Sequence, residues 1–182
     1  MGWLNTEIEG VKVFEPRIFS DDRGQFFESF NQEAFENELG EKVIFVQDNE
    51  SISKKGVIRG LHFQKPPFSQ GKLVRVVQGS VIDVAVALRK NSSTYGKSIS
   101  IELNAENRKQ LWIPEGFAHG FEALEDQTIF LYKCTNYYSP QSEATLFFND
   151  PDLQINWQTK NPIVSEKDLI GEKISSFITP FM

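Results

Sequence analysis

The sequence is poor in the side chains that most often build metal and redox centres. Its 182 residues include two histidines and one cysteine, Cys134. A single thiol excludes both an internal disulfide and a four-thiolate zinc site. The formal net charge is −6 and no block of Lys or Arg stands out, so nucleic acid is not an expected partner.

Long apolar runs are also absent from the sequence. The first seven residues carry neither the basic stretch nor the apolar stretch of a secretion signal. No segment reaches the roughly 18 consecutive apolar residues of a membrane span. Because the chain also has only one thiol, we predict a cytoplasmic protein that does not enter a membrane.

Phenylalanine is abundant, with 16 residues that stand among Val, Ile and Gly. This environment is typical of strands. A turn at residues 20–24 separates two β-rich runs, 11–14 and 25–30, which we predict to pair with each other. Short β-rich runs continue from residue 43 to residue 135, and their regular spacing favours a sandwich or a barrel.

One segment, residues 31–40, has the pattern of a helix. Asn31 is a suitable N-cap, and Gly40 is suitable for the position after the helix. The chain after residue 138 is richer in Pro, Asn and Asp, and we expect it to wrap around the β structure. The whole chain, 1–182, is predicted to form a single domain.

Residues 80–88 alternate between two kinds of side chain. The even positions 82–88 carry large aliphatic residues, whereas the odd positions 81–87 carry mostly smaller residues and Asp83. The second face suits the wall of a cavity. An edge strand with one solvated acid would give the same pattern.

Both histidines lie in short β-rich segments beside glycine, with Gly60 before His62 and Gly120 after His119. Each could be a core histidine with a satisfied hydrogen bond. Residues 114–119 also have the P-x-G-x-x-H spacing of a cupin metal motif. The other cupin motif needs a second histidine two residues after His62, where this chain has Gln64. An amide is a poor metal ligand, so we expect no metal.

Without a metal, His62 can act as a general base, because the ordinary pKa of imidazole is about 6.5. An acid should orient it, and the sequence leaves Asp83 and Asp168 as alternatives. Lys72 opens an otherwise apolar run and could stabilise an enolate oxygen. Tyr132 could donate a proton on the opposite side of a substrate, although strand tyrosines are commonly core residues.

Seven segments together resemble the dTDP-4-dehydrorhamnose 3,5-epimerases, a family of dTDP-L-rhamnose biosynthesis. Any one of them alone would be weak evidence, but they follow in order along most of the chain. They are residues 22–30, 45–51, 56–64, 70–77, 111–121, 132–138 and 165–168.

The resemblance implies a mostly β, cupin-like jelly roll, a double-stranded β-helix with one or two short helices. It implies His62 as the base paired with Asp168, Tyr132 as the acid and Lys72 beside O4. It also implies a homodimer, no cofactor and a dTDP-linked 4-keto-6-deoxy sugar as substrate. Substrate contacts are implied at Arg23, Glu28, Gln47, Asp48, Asn49, Arg59, His119, Tyr138, Glu143 and Lys167.

The expected reaction is epimerisation at C3 and C5, next to the C4 ketone. Three other functions stay open on the sequence alone. The chain could invert one carbon of another nucleotide sugar, it could be a metal-dependent cupin oxygenase or isomerase, or it could bind sugar without catalysis.

Overall fold

The computed structural model describes residues 2–182, and strands dominate it. The strands are β1 (Gly2–Asn5), β2 (Lys12–Glu15), β3 (Phe19–Asp21), β4 (Gly24–Phe26), β5 (Gln47–Ser53), β6 (Ile58–Gln64), β7 (Lys72–Gln78), β8 (Ser80–Ala87), β9 (Ser98–Asn104), β10 (Gln110–Ile113), β11 (Phe117–Ala123), β12 (Thr128–Cys134) and β13 (Glu143–Thr145).

Most of these strands form two antiparallel sheets that face each other. The six-stranded sheet has the order β1-β2-β10-β7-β12-β5, and the five-stranded sheet has the order β13-β6-β11-β8-β9. Neighbouring strands are often distant in sequence, as when β7 lies between β10 and β12. This topology is the predicted double-stranded β-helix, or jelly roll.

The predicted pairing of residues 11–14 with 25–30 is wrong. Strand β2 pairs with β1 and β10, whereas β4 pairs with β3 in a separate hairpin. Residues 27–30 continue as irregular chain. The long-range partner β10 gives β2 a buried apolar neighbour in Leu111, which the exposed hairpin cannot supply.

Two short α-helices and one 3-10 turn complete the secondary structure of residues 2–182: α1 (Gln32–Leu39), α2 (Glu166–Leu169) and Pro151–Leu153. The predicted ends of α1 are confirmed. The Asn31 side chain accepts a hydrogen bond from the Ala34 amide, and Gly40 is left-handed with φ of 73°. In the described part of the chain, no helix has the length and hydropathy needed to cross a membrane.

The space between the sheets is filled by a core that includes Val74, Val81, Leu103 and Phe130, all fully buried. The outer face of the five-stranded sheet is covered by the C-terminal segment, where Phe177 and other apolar residues pack. Consequently both faces of β8 are buried. The small face of this strand, with Asp83, is buried in the core between the sheets and is not a solvated edge. None of its four residues lines the cavity described below.

Candidate active site

A cavity opens between the two sheets and has two connected lobes. The larger lobe has a volume of about 550 Å³ and the smaller lobe about 260 Å³. His62, Lys72 and Tyr132 line both lobes and therefore mark the place where they join. The predicted catalytic side chains thus meet in one space.

His62 is held by Asp168. Its Nε2 lies 2.5 Å from Asp168 Oδ1, and the other carboxylate oxygen accepts the Gly60 amide at 3.3 Å. Asp168 belongs to α2, whose N-cap Ser165 fixes the turn. Burial raises the pKa of the Asp168 carboxyl, but hydrogen bonds from His62, Gly60 and Ser165 and the charge of His62 outweigh it and hold that pKa below 3.8. The carboxylate therefore stays ionised and orients the imidazole.

This arrangement decides which nitrogen of His62 can react. Nε2 donates its hydrogen to Asp168, so Nδ1 is the nitrogen left to accept a proton. The His62 side chain is 30 % exposed, whereas Asp168 is 3 % exposed. A substrate in the cavity can reach the base while the orienting acid stays covered.

Glycine permits the close approach of β6 and β11 beneath His62. A Cβ atom at Gly60 would lie 2.5 Å from the Gly120 Cα, and one at Gly120 would lie 2.6 Å from the Arg59 carbonyl oxygen. The pairing of β11 with β6 shifts register between His119 and Phe121. The glycines noted in the sequence are thus needed by the strands that carry both histidines.

Lys72 and Tyr132 face the cavity from the six-stranded sheet. Burial lowers the pKa of the Lys72 ammonium, although negative groups around it, among them Asp83 and Glu143, oppose the change. The Lys72 nitrogen lies 5.9 Å from the centre of the Tyr132 ring. Lys72 can therefore place a positive charge beside a developing oxyanion.

Tyr132 is suited to be a proton donor. Burial raises the pKa of its phenol, and the Cys134 thiol adds to this while Arg59 acts against it. A raised pKa keeps the hydroxyl protonated at neutral pH. Its strand lies in the opposite sheet from the one that carries His62.

Asp83 is the partner of His119 and not of His62. Both carboxylate oxygens of Asp83 contact His119 Nε2, at 2.9 and 3.1 Å. Burial lowers the pKa of His119, and Lys72 and His62 contribute in the same direction, against the influence of Asp83. The register that places Asp83 opposite Phe121 in the sheet could not be read from the sequence.

Most of the predicted substrate contacts line the same cavity. Arg59, His119 and Lys167 line the larger lobe, and Gln47, Asn49, Tyr138 and Glu143 line the smaller one. An ion pair of 2.5 Å between Lys167 and Glu143 connects the two sets. Ser51, which was not predicted from the sequence, lines the larger lobe. It lies two residues after Asn49 in β5, so both side chains point to the same face of the sheet.

Three predicted contacts lie elsewhere in this chain. Asp48 alternates with Gln47 and Asn49, so it faces the other side of the sheet and pairs with Lys133 at 3.0 Å. Arg23 lies at the turn of the β3-β4 hairpin with its side chain 90 % exposed. Glu28 lines a separate pocket beside Trp3 and Phe35.

Gln64 has no contact of the kind a metal ligand would make. Its amide is bonded to backbone groups of two loops. Across residues 2–182, no group of three or more His, Cys, Asp or Glu side chains is arranged to hold a metal ion. The donors of both histidines are instead engaged by aspartates.

An aspartate-bound imidazole, a half-buried ammonium and a protonated phenol can together support proton transfer at carbon, which is the chemistry of isomerases. Comparison with known proteins agrees with this class. The sequence profile of the dTDP-4-dehydrorhamnose 3,5-epimerases matches residues 5–176. The chain belongs to this family.

Relatives match over nearly their full lengths. The dTDP-4-dehydrorhamnose 3,5-epimerase of Shigella flexneri is 54% identical over 95% of this chain and 96% of its own. A crystal structure of a dTDP-6-deoxy-D-glucose-3,5-epimerase from Legionella pneumophila, in complex with dTDP-4-keto-L-rhamnose, superposes with a TM-score of 0.94. The two sequences are 44% identical, and the match covers 100% of this chain and 98% of that one. A dTDP-4-dehydrorhamnose 3,5-epimerase from Bacillus anthracis, with TDP and PPi bound, is 46% identical with a TM-score of 0.91, covering 94% and 98%.

Proposed function

We propose that this enzyme epimerises dTDP-4-dehydro-6-deoxy-D-glucose at C3 and C5 to give dTDP-4-dehydro-L-rhamnose. The observation that carries the proposal is the placement of His62 and Tyr132 in opposite sheets around one cavity. Inversion at a carbon needs a proton to leave from one face of the sugar and to return on the other. A base and an acid on facing walls meet that need.

The first step is removal of a proton beside the ketone. His62 Nδ1 takes the proton from C3 or C5, and the C–H electron pair forms a carbon–carbon double bond to C4. The former carbonyl oxygen O4 then carries negative charge. Lys72 stabilises this enolate, which is the largest electrostatic requirement of the reaction.

The second step returns a proton to the same carbon from the opposite face. The Tyr132 hydroxyl donates it, the double bond reverts to the C4 ketone, and the configuration is inverted. His62 has then gained one proton and Tyr132 has lost one, and exchange with water restores both. Carbon gains and loses only a proton, so the reaction needs no redox cofactor.

The nucleotide part of the substrate fits the polar ends of the cavity. Arg59 and Lys167 supply separate cations for a pyrophosphate, which suits a protein whose net charge is negative. Tyr138, half-exposed at the rim, offers a ring on which thymine can stack. Gln47 and Asn49 offer amides for hydrogen bonds to the base or sugar.

We further propose that the enzyme acts as a homodimer in the cytoplasm, where nucleotide sugars are made. The β3-β4 hairpin presents two apolar rings to solvent, Phe19 at 51% and Phe26 at 71% exposure. These rings suit an interface with a second copy. Arg23, at the turn of this hairpin, would then reach the partner's cavity.

A direct test is to incubate the purified chain with dTDP-4-dehydro-6-deoxy-D-glucose and to follow the sugar protons by NMR. The proposal expects a product inverted at both C3 and C5. Inversion at one carbon alone would reduce the activity to that of a mono-epimerase. If the substrate is not converted, sugar binding without catalysis would be the remaining function.

A further inference from the structure

Gln64 ends the strand that carries His62, and its side chain is only 5% exposed. The nitrogen and the oxygen of its side-chain amide are both hydrogen-bonded to backbone groups. Nε2 donates to the Phe68 carbonyl and to the Tyr137 carbonyl, each at 3.0 Å, and Oε1 accepts the Ser139 amide at 2.6 Å. One side chain therefore ties two loops to the strand of the base.

The second of these loops carries Tyr138. Gln64 bonds the carbonyl of the residue before Tyr138 and the amide of the residue after it, so the two bonds bracket this tyrosine. Tyr138 itself is 52% exposed, with its amide donating to Gln47 Oε1 and its hydroxyl to Glu143 Oε2. An exposed ring can keep a fixed position when its backbone is held on both sides.

The chemistry of this contact needs a carboxamide. Two donors and one acceptor must lie at the end of one side chain, and only Asn and Gln supply them. A glutamate could still accept from Ser139, but its second oxygen would face two carbonyl oxygens. A histidine, the residue of metal-binding cupins at this place, cannot donate to both carbonyls and also accept the amide.

We propose that Gln64 is a positioning residue for the nucleobase of the substrate. It fixes the distance between the ring of Tyr138, on which a planar base stacks, and His62, which lies two residues away on the same strand. This inference rests on the proposed function, because it assumes that the smaller lobe receives the nucleobase. The amide at this position thus serves substrate alignment in place of metal binding.

The test measures binding of two probes, dTDP and inorganic pyrophosphate, by calorimetry. Gln64→Met removes all three bonds with little change of volume, and Gln64→Glu removes the two donors and keeps the acceptor. Both variants are expected to raise the Kd for dTDP by about tenfold, within the range of one base–aromatic stack. Pyrophosphate, which has no base, should bind with an unchanged Kd.

The route through Tyr138 is tested by a double-mutant cycle. In a Tyr138→Ala background, Gln64→Met should change the Kd for dTDP by less than about twofold, because the ring to be positioned is gone. In turnover, the KM of the Gln64 variants should rise by more than kcat falls. Gln78→Met is the matched control, since this glutamine bonds one backbone carbonyl on the exposed surface.

Three results would overturn the inference: an unchanged Kd for dTDP in folded Gln64→Met or Gln64→Glu, an equal loss of pyrophosphate binding, or additive effects of Gln64→Met and Tyr138→Ala. Circular dichroism melting identifies a variant that fails to fold, in which case the other variant decides. Failure of the proposed function is a separate outcome. It would be seen in the unsubstituted chain as a lack of hydrogen exchange at the sugar carbons.

Discussion

His62 and His119 lie opposite each other in the pairing of β6 with β11, and the Nε2 atom of each is hydrogen-bonded to a different aspartate. Their exposure separates their roles, because the His62 side chain is 30% exposed and that of His119 is 7% exposed. Only His62 combines an oriented ring with easy access from the cavity. His119 is instead a wall residue, locked by Asp83, that can meet one group of the sugar.

The two imidazoles should be distinguishable by NMR, since the chain has no other histidine. Burial lowers the pKa of His119, so its ring should stay neutral below pH 6.5, where an ordinary histidine takes up a proton. In protein labelled with ¹⁵N-histidine, the His119 ring should carry its hydrogen on Nε2. It should take up a second proton only below pH 6.5. A spectrum of His62→Ala assigns the signals. Protonation of His119 above pH 6.5 would contradict the burial effect.

Replacement of Lys72 should separate activity from stability. Lys72→Met removes the charge that stabilises the enolate and should lower kcat by about 10² to 10³. Because burial disfavours the ammonium, the free energy of unfolding should not decrease. Urea unfolding and the epimerase assay check the two parts, with Lys97→Met on the exposed surface as the control. A variant that keeps full activity would remove Lys72 from the mechanism.

Tyr132→Phe should separate proton removal from inversion. The base and the enolate stabiliser remain, so deuterium from the solvent should still enter the recovered substrate. Formation of the inverted product should fall by about 10² to 10⁴, the usual contribution of a general acid. Proton NMR of substrate and product in deuterated water gives both rates. An equal loss of exchange and inversion would assign Tyr132 to another role.

The proposed dimer can be tested by mixing two impaired variants. Arg23→Ala lacks the hairpin cation, and His62→Ala lacks the base. If Arg23 serves the partner's cavity, a mixed dimer has one cavity with both residues intact, and activity should reappear after the variants are unfolded and refolded together. Each variant refolded alone is the control. A mixture no more active than its components would place Arg23 outside the partner's site.

Local patterns predicted a mostly β chain of short strands, and they marked His62, Lys72 and Tyr132 as candidates for chemistry. They could not choose between Asp83 and Asp168, because Asp168 reaches His62 across 106 residues of sequence. The partner of β2 was mispredicted for the same reason, since β10 lies far along the chain. Gln64 gave no positive signal either, because its partners are backbone groups whose positions depend on the complete fold.

The position of Asp48 depends on strand alternation. The sequence motif joins it to Gln47 and Asn49, but successive side chains of β5 point to opposite faces of the sheet. The resemblance to the family identifies such residues, but it does not show to which face of the sheet their side chains point. Only the register of β5 with β12 decides which of them face the cavity.

The measurement that tests the central claim most directly is deuterium incorporation by the unsubstituted chain and by His62→Ala. With dTDP-4-dehydro-6-deoxy-D-glucose in deuterated water, the unsubstituted chain should place deuterium at both C3 and C5. Folded His62→Ala should incorporate none above the uncatalysed rate at either carbon. Incorporation by His62→Ala at the rate of the unsubstituted chain would contradict the assignment of His62 as the base.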